Sequence, residues 1–408
     1  MKATHLAIYT TLFALLSTPT VSQAQARSEK DYFRTMDPRA RLELIANMRV
    51  KRSFKPLSEI RNIEEDDKDN QTDKIDIAQY LTEKCGFNYQ RTAAGIQRPQ
   101  VQCTYTPKSA SNPFNGMTAK FDCSFDAKQD GGKKRVLKVK YEPKRYAGGG
   151  HKEIPQAVMG TLMARMMGFY SSTYCPVDVV CNDCPSENPW EQKSQAPAAI
   201  GNRVLFENVV VEIKQKGFQV TDSRNTNTDK PQGFSFRNEM ARYAPRDRAL
   251  QAQLLTEREA LAIWMNFVRS QDADHHNNKL YCLKSTVVEG SNPKCDQSIG
   301  VINDYGNAFG YSKADRPLKL SDFSRDTLMS GSGRITAWGA SGNSGAGGYT
   351  ISQAGRDLFV SMAESLSDNQ LEDIFQLAQV EKVSDGDSSK WKEAYRHKVQ
   401  RIKNFRFR

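Results

Sequence analysis

Apolar positions along this chain follow two periods, and the expected architecture changes where the period changes. Residues 39–48 and 75–83 place apolar side chains at helical spacing, and the Asp/Asn-rich run 62–70 between them predicts a solvated loop. Alternation then takes over. Lys120-Phe121-Asp122-Cys123-Ser124-Phe125 and Arg135-Val136-Leu137-Lys138-Val139-Lys140-Tyr141 flank Gly131-Gly132, the pattern of a β-hairpin. Residues 154–169 return to helical spacing through Val158, Leu162, Met163, Met166 and Met167. Strands are predicted at 177–181 and 204–214, followed by a long helix at 250–269 whose apolar side includes Leu254, Leu261, Trp264 and Phe267. Two short strands, 279–283 and 298–303, bracket a loop. Residues 330–348 are dense in Gly and Ser without a repeat and predict a flexible loop. The last region is helical at 353–366 and 371–380, the second helix opened by Ser367 and Gln370 at capping-box spacing.

The first 26 residues have a different character. Lys2 supplies a positive start, residues 6–16 are apolar but too short to span a bilayer, and Ala24-Gln25-Ala26 has the small-x-small form that a signal peptidase cuts. This predicts export, with a mature terminus at Arg27, or at Gln25 if the weaker site is used, and a periplasmic or extracellular location. The remaining ~380 residues exceed one small core and predict either one two-lobed domain or two domains. The whole chain carries a net charge of +11, and the leader holds one lysine and no acid, so +10 remains. That balance favours acidic partners such as nucleotide phosphates or anionic surfaces. The basic tail, 390–408, predicts a solvated helix face first and contact with an anionic surface second.

All eight cysteines lie beyond the leader, and an even number in an exported chain points to disulfides, although eight cysteines allow 105 pairings. Cys282 and Cys295 stand at the two sides of one predicted loop and form a candidate local pair. Cys181 and Cys184, in Cys-x-x-Cys spacing, predict a disulfide or, alternatively, half of a zinc site, for which Cys175 is a third ligand and no nearby histidine a fourth.

Phosphoryl transfer from a nucleotide needs a lysine on the phosphates, metal ligands, and a carboxylate that orients the acceptor. Candidates occur here in that order. Asp272 precedes Asn277 by five positions, the spacing of the catalytic Asp and the metal-binding Asn in kinase loops, and Asp304-Tyr305-Gly306 stands where D-F-G would, after the next strand pair. One short loop can then aim Asp272 at a hydroxyl and Asn277 at magnesium, a cation that takes few, oxygen ligands. Asp274 is the rival base, but the residue five positions on is Lys279, which cannot bind a cation. His275 and His276 are expected as hydrogen-bonded scaffold. Val136-Leu137-Lys138 has the form of a strand lysine motif, with Val136 on the same face and Lys140 as the alternative lysine. Glu153, at the mouth of the following helix, is a candidate partner for the lysine or a carboxylate favoured by the helix dipole. Gly116, in Asn115-Gly116-Met117-Thr118, is placed for a loop over the phosphates. His275-His276-Asn277 also suggests an HNH-type nuclease, but no metal-binding histidine follows closely, so no nucleic-acid partner is expected.

These motifs together resemble the atypical kinase superfamily that includes phosphatidylinositol 3- and 4-kinases, HipA toxin kinases and secretory-pathway kinases. They resemble in particular a group of exported bacterial kinase-like proteins, through Lys138-Val139-Lys140-Tyr141, Gly168-Phe169, Cys181 to Pro185, and the helix start from Ile351 to Arg356. The resemblance spans residues 115–380. It implies an α+β, two-lobed protein-kinase-like fold, with a strand-rich N-lobe at 85–215, a mainly helical C-lobe at 216–408 and an N-terminal helical extension at 27–84. It implies ATP with Mg or Mn as cofactors and an acceptor that is a protein, a lipid or a small molecule. Two departures stand out. Ala157 occupies the position expected for the helical glutamate, and the loop lacks the His-Arg-Asp form. An exported pseudokinase, or a disulfide-stabilised binding protein without enzymatic activity, is therefore the alternative.

Overall fold

The computed structural model describes residues 29–52, 75–107, 118–126, 135–142, 153–185, 189, 202–221, 233–240, 243, 248–270, 277–287, 291–310, 318–325, 329–335 and 346–407. Residues 1–28, which include the predicted leader, the acidic run 62–70, Gly116, the predicted Gly131-Gly132 turn and residues 271–276, with Asp272, Asp274, His275 and His276, lie outside them. Strands and helices are mixed, as expected, with strands concentrated in the first half and helices in the last third.

Two short helices come first, α1 (Glu29–Arg34) and α2 (Pro38–Ala46). The Asp37 carboxylate caps α2 by accepting from the Arg39 and Ala40 amides, while Pro38 costs nothing at a position where its missing N–H has no partner. Helix α3 (Ile77–Cys85) starts on the Asp76 side chain and stops at Gly86, which takes the left-handed conformation (φ 78°) that ends a helix. A small hairpin follows, β1 (Gln90–Thr92) with β2 (Gly95–Gln97). Strands β3 (Gln100–Thr106), β4 (Lys120–Phe125), β5 (Arg135–Lys140), β6 (Thr173–Asn182) and β7 (Arg203–Ile213) close a barrel in the order β3-β4-β5-β7-β6. The predicted hairpin is β4–β5, with Phe125 opposite Arg135 and Lys120 opposite Lys140. Closure comes from β3, whose strand pattern was not singled out in the sequence and which pairs parallel to β6. A closed barrel leaves no free edge, so its backbone groups are satisfied internally.

Between β5 and β6 lies helix α4 (Glu153–Met166), buried along almost its whole length and packed on β6 and β7. Strand β8 (Phe218–Val220) and a five-residue π-helical turn, Phe236–Met240, lead to the long helix α5 (Arg248–Phe267). Strands β9 (Asn278–Thr286) and β10 (Lys294–Ile302) form the predicted second hairpin, extended by three and four residues toward the connecting loop, and β8 adds to its β9 side. Helices α6 (Leu320–Ser324), α7 (Gln353–Glu364), α8 (Asp368–Leu377), α9 (Val380–Val383) and α10 (Ser388–Lys403) complete the chain. The capping box at Ser367 is formed in both directions. The basic tail is helix α10, which buries Trp391, Tyr395, Val399 and Ile402 and turns most of its charges outward. No helix among the described residues is long and apolar enough to cross a membrane.

The described part of the N-terminal extension, residues 29–52 and 75–84, which the sequence motifs left unexplained, packs against the rest of the described structure. Phe33 stacks on Phe218 with ring centroids 5.5 Å apart, and the Arg49 backbone pairs with β10 through Ser298 and Gly300. Arg49 forms a buried ion pair with Glu257 of α5 at 2.5 Å, while Arg258 donates to the carbonyls of Ile45 and Ala46 at the C-terminal end of α2. Removing Glu257 alone would strand a buried charge, so the pair fixes the extension against α5.

Four disulfides account for all eight cysteines: Cys85–Cys175, Cys103–Cys123, Cys181–Cys184 and Cys282–Cys295. Both candidate pairs are present, and Cys175, the third sulfur weighed for zinc, is bonded to Cys85. The set as a whole suits an oxidising compartment.

Candidate active site

Strand register gathers the charges. Lys120 and Asp122 on β4 face Lys140 and Lys138 on β5, Lys138 faces Glu212 on β7, and Glu212 faces Tyr174 on β6. Because side chains alternate across a strand, Lys120, Lys138, Lys140, Glu212 and Tyr174 share one face of the sheet. The ammonium of Lys138 donates to Glu212 Oε2 at 3.1 Å, and that of Lys140 lies 4.0 Å from the same oxygen and donates to the Tyr174 hydroxyl at 2.6 Å. Tyr174 in turn donates to the Asn303 carbonyl at 3.1 Å, which ties the sheet to the segment carrying Asp304.

The charges shape one another. Burial alone would raise the Glu212 carboxyl, but the charges of Lys140 and Lys138 outweigh it and hold it down at about 2. Burial opposes the charge of Lys140, yet Tyr174, Asp304 and Glu212 outweigh that and keep its ammonium well above the ordinary lysine value. For Lys120 the balance falls the other way: burial, joined by repulsion from Lys140 and Lys138, brings it down to about 8 against the smaller opposing effect of Asp304 and Glu212. Three lysines thus converge where Glu212 and Asp304 supply the opposing charge, a surface suited to phosphate oxygens.

Asp304 follows β10. Its Oδ1 accepts from the Gly306 amide at 2.9 Å, and a Cβ on Gly306 would lie 3.2 Å from the side chain of Glu153, so Asp304-Tyr305-Gly306 lies against the first turn of α4. The Asn303 amide donates to the Asn277 carbonyl at 3.2 Å, which brings Asn277 and Asp304, distant in sequence, to the same end of the β9–β10 hairpin. Ser172 donates to Asn303 Oδ1 at 2.6 Å and fixes that side chain. Tyr305 is fully buried, with its hydroxyl accepting from Trp264.

The stem of the loop that bears Asp272 is held from three sides. The Phe309 amide donates to the Val268 carbonyl, Arg269 donates to the Asp322 carbonyl, and the buried Lys398 of α10 donates to the carbonyls of Phe267 and Phe323 at 2.5 and 2.7 Å.

Of the residues marked in the sequence, Lys138, Lys140, Glu153, Asn277 and Asp304 are described, and Asp272 and Gly116 are not. Glu212, on a strand, meets both Lys138 and Lys140; Glu153, which the sequence offered as a lysine partner or a helix-start carboxylate, opens α4 and lies beside Gly306. Val136 is 55% exposed. Lys120, Tyr174 and Glu212 were missed. Lys120 and Glu212 alternate correctly within their strands, but only the barrel register shows that they face Lys140 and Lys138. A cavity of about 340 Å³ bounded by Arg98, Tyr141, Ile154 and Gln379 shares none of these residues.

No family model matches the chain, and no curated protein matches it in sequence. Among solved structures it is similar to the Helicobacter pylori proinflammatory kinase CtkA, at 11% identity over 74% of this chain and 96% of that one, with a TM-score of 0.40. It is also similar to HipA of Shewanella oneidensis, solved with HipB and operator DNA, at 11% identity over 74% of this chain and 68% of that one, with a TM-score of 0.27. Likeness at these scores carries no inference about chemistry, which rests on the residues themselves.

Proposed function

We propose that this is an exported, atypical kinase-like phosphotransferase, with a two-lobed arrangement in which the barrel supplies the nucleotide phosphate contacts and α5 with the β9–β10 hairpin supplies the metal and acceptor groups. The observation that carries the reading is the convergence of Lys140 from the barrel with Asp304 from the end of β10, bridged by Tyr174 and the Asn303 backbone. The donor set fits a nucleotide with magnesium or manganese: ammonium groups for phosphates, and the Asp304 carboxylate, with Asn277 at the same end of the β9–β10 hairpin, for a hard cation. When bound, the cation neutralises charge on the phosphates. Lys140, with Lys138 and Lys120 beside it, holds the phosphate oxygens; Asn277 and Asp304 hold the cation. Asp272 orients the acceptor hydroxyl and takes its proton as the acceptor oxygen bonds to the terminal phosphorus and the bond to the bridging oxygen breaks.

The experiment is incubation of the mature protein with ATP labelled on its terminal phosphate, with Mg or Mn, reading thermal stabilisation, autophosphorylation and transfer to added acceptors. Metal-dependent stabilisation and label transfer, both lost in Lys140→Met, are expected. Stabilisation without transfer would identify a pseudokinase. Neither signal would overturn the reading in favour of an exported binding protein that uses its basic surface.

A further inference from the structure

Cys181-Asn182-Asp183-Cys184 has the spacing of a zinc knuckle but supplies only two ligands, and the fold brings two more. Cys103 on β3 is the register partner of Cys181 on β6, and Cys123 lies on β4, the strand on the other side of β3. The sulfurs of Cys103, Cys123 and Cys181 all lie within 4.8 Å of one another, and Cys184 is bonded to Cys181. All four residues are buried. Asp183, in the left-handed conformation (φ 60°), turns the chain so that Cys184 comes back to Cys181, and Asn202 fixes the turn by donating to the Cys184 carbonyl at 2.9 Å. Two disulfides are therefore in contact, with the sulfurs of Cys123 and Cys181 3.9 Å apart. Tetrahedral zinc with Zn–S bonds of ~2.3 Å holds its sulfurs about 3.8 Å apart. No other group of three cysteines among the described residues comes together in this way.

We propose that Cys103, Cys123, Cys181 and Cys184 form a redox-linked zinc site: two disulfides when oxidised, and one zinc tetrathiolate when reduced. Each disulfide takes two electrons and two protons from one equivalent of a dithiol, which leaves as its cyclic disulfide. Zinc then binds the four sulfurs and releases the four thiol protons to solvent. Soft thiolates in tetrahedral array favour zinc over the hard cations suited to Asn277 and Asp304, so the two sites take different metals. The zinc state replaces two covalent links between β3, β4 and β6 by one four-way link, so the barrel end stays closed in both redox states. This site is independent of the phosphotransfer reading.

The test uses the full mature chain with Cys85, Cys175, Cys282 and Cys295 replaced by serine, so that only the cluster cysteines remain. After reduction with a water-soluble phosphine and removal of the reductant, the protein is titrated with zinc alone and, in parallel, with cobalt as a spectroscopic probe. One zinc per chain, protection of all four thiols from alkylation, and the absorption bands of tetrahedral cobalt tetrathiolate are expected. Cys123→Ser or Cys184→Ser in this background should weaken zinc binding at least tenfold. Circular dichroism keeps the result decisive: if the reduced chain unfolds, zinc must restore the fold. Absence of binding, failure of zinc to restore an unfolded reduced chain, or equal binding in Cys123→Ser would each overturn the proposal.

Discussion

Trp264 donates its indole N–H to the hydroxyl of Tyr305 at 3.0 Å, and Gly160 of α4 lies against the other side of that ring. Tyr305 separates Asp304 from Gly306, so the candidate metal segment is pinned between α4 and α5 by one buried side chain. A Cβ at Gly160 would come within 2.4 Å of Tyr305 Cγ, a separation real atoms do not adopt, and the obstacle is a ring in a packed core with little freedom to move. Gly160→Ala should therefore destabilise the protein by about 1–3 kcal/mol and abolish metal-dependent nucleotide stabilisation by displacing Asp304. Trp264→Phe removes the hydrogen bond and the buried volume of the second indole ring but inserts nothing beside Tyr305, so it costs about 1–3 kcal/mol and should leave nucleotide binding largely intact. Denaturant midpoints and Mg-ATP thermal shifts on both variants separate the two effects.

Lys398 is the most unusual cation in the C-terminal helices. It is 2% exposed, lies over the rings of Phe267 and Phe323, and donates to both of their carbonyls. Burial, with the charge of Arg269 adding to it, lowers its pKa well below the ordinary lysine value. Lys398→Met keeps the volume but leaves two buried carbonyls without their donor, a loss of about 1–3 kcal/mol. Phe267 ends α5 directly before the loop stem, so the amides of Val268 to Ser270 should exchange with solvent faster in this variant while those of the barrel stay protected. Hydrogen exchange resolved by peptide mass would show uniform loosening if Lys398 were only a core residue.

Glu212 and Lys120 contribute to stability at opposite ends of the pH range. Glu212 is held at about 2, below its unfolded value, so its contribution is complete above about 4.5 and is lost as pH falls towards 2; the shift corresponds to about 3 kcal/mol. Lys120 is brought down to about 8 in the fold, so between about 8 and 10.5 the unfolded chain binds the proton that the folded chain has released, and stability rises with pH across that window. Glu212→Gln should flatten the acid limb and, by leaving Lys138 and Lys140 without their carboxylate, destabilise at neutral pH by about 3–5 kcal/mol. Lys120→Met should reduce the alkaline rise, leaving the share that comes from Lys398, whose pKa is also lowered. Urea midpoints measured from pH 3 to 10 would count against these assignments if Glu212→Gln kept the acid slope.

Periodicity made most elements legible because it records burial, and burial decides which residues form an element. Helix α4 and the strands β4, β5 and β7 fall within a few residues of their expected bounds. Strand β3 carries a Gln-Val-Gln-Cys-Thr-Tyr-Thr alternation as clear as that of β4, but its partner β6 lies about 75 residues on, and no local signal announces a parallel pairing. Spacing alone marked Asp272 and Asn277 as candidates, and Asp272 lies outside the described residues; the charged cluster on the barrel was illegible because register decides it. Glu212 looks like any outward strand glutamate until β5 and β7 are set side by side and Lys138 falls opposite it. Lys120 is hidden for the same reason.

On the proposed phosphotransferase reading, Lys138 and Lys140 compete for the phosphates, because they share a face and the sequence placed Lys138 first. Lys138 is the more exposed and is committed to Glu212 by a direct bond. Lys140 is buried, lies 4.0 Å from Glu212, and is the one whose charge Tyr174 and Asp304 stabilise. In phosphoryl transfer the negative charge spreads over the equatorial oxygens of the moving group, and a cation fixed in a low-dielectric site stabilises that charge more than one facing solvent. Lys140→Met should therefore lower kcat/KM at least a hundredfold and remove most Mg-ATP stabilisation. The fold should persist, since Tyr174 still donates to Asn303. Lys138→Met should raise KM by no more than about tenfold and leave kcat nearly unchanged, the signature of a contact made equally in ground and transition states. Tyr174→Phe, which leaves Lys140 charged but without its acceptor, should fall between the two. If Lys138→Met proves the more damaging, Lys138 is the phosphate ligand, and Glu212 must release it when nucleotide binds.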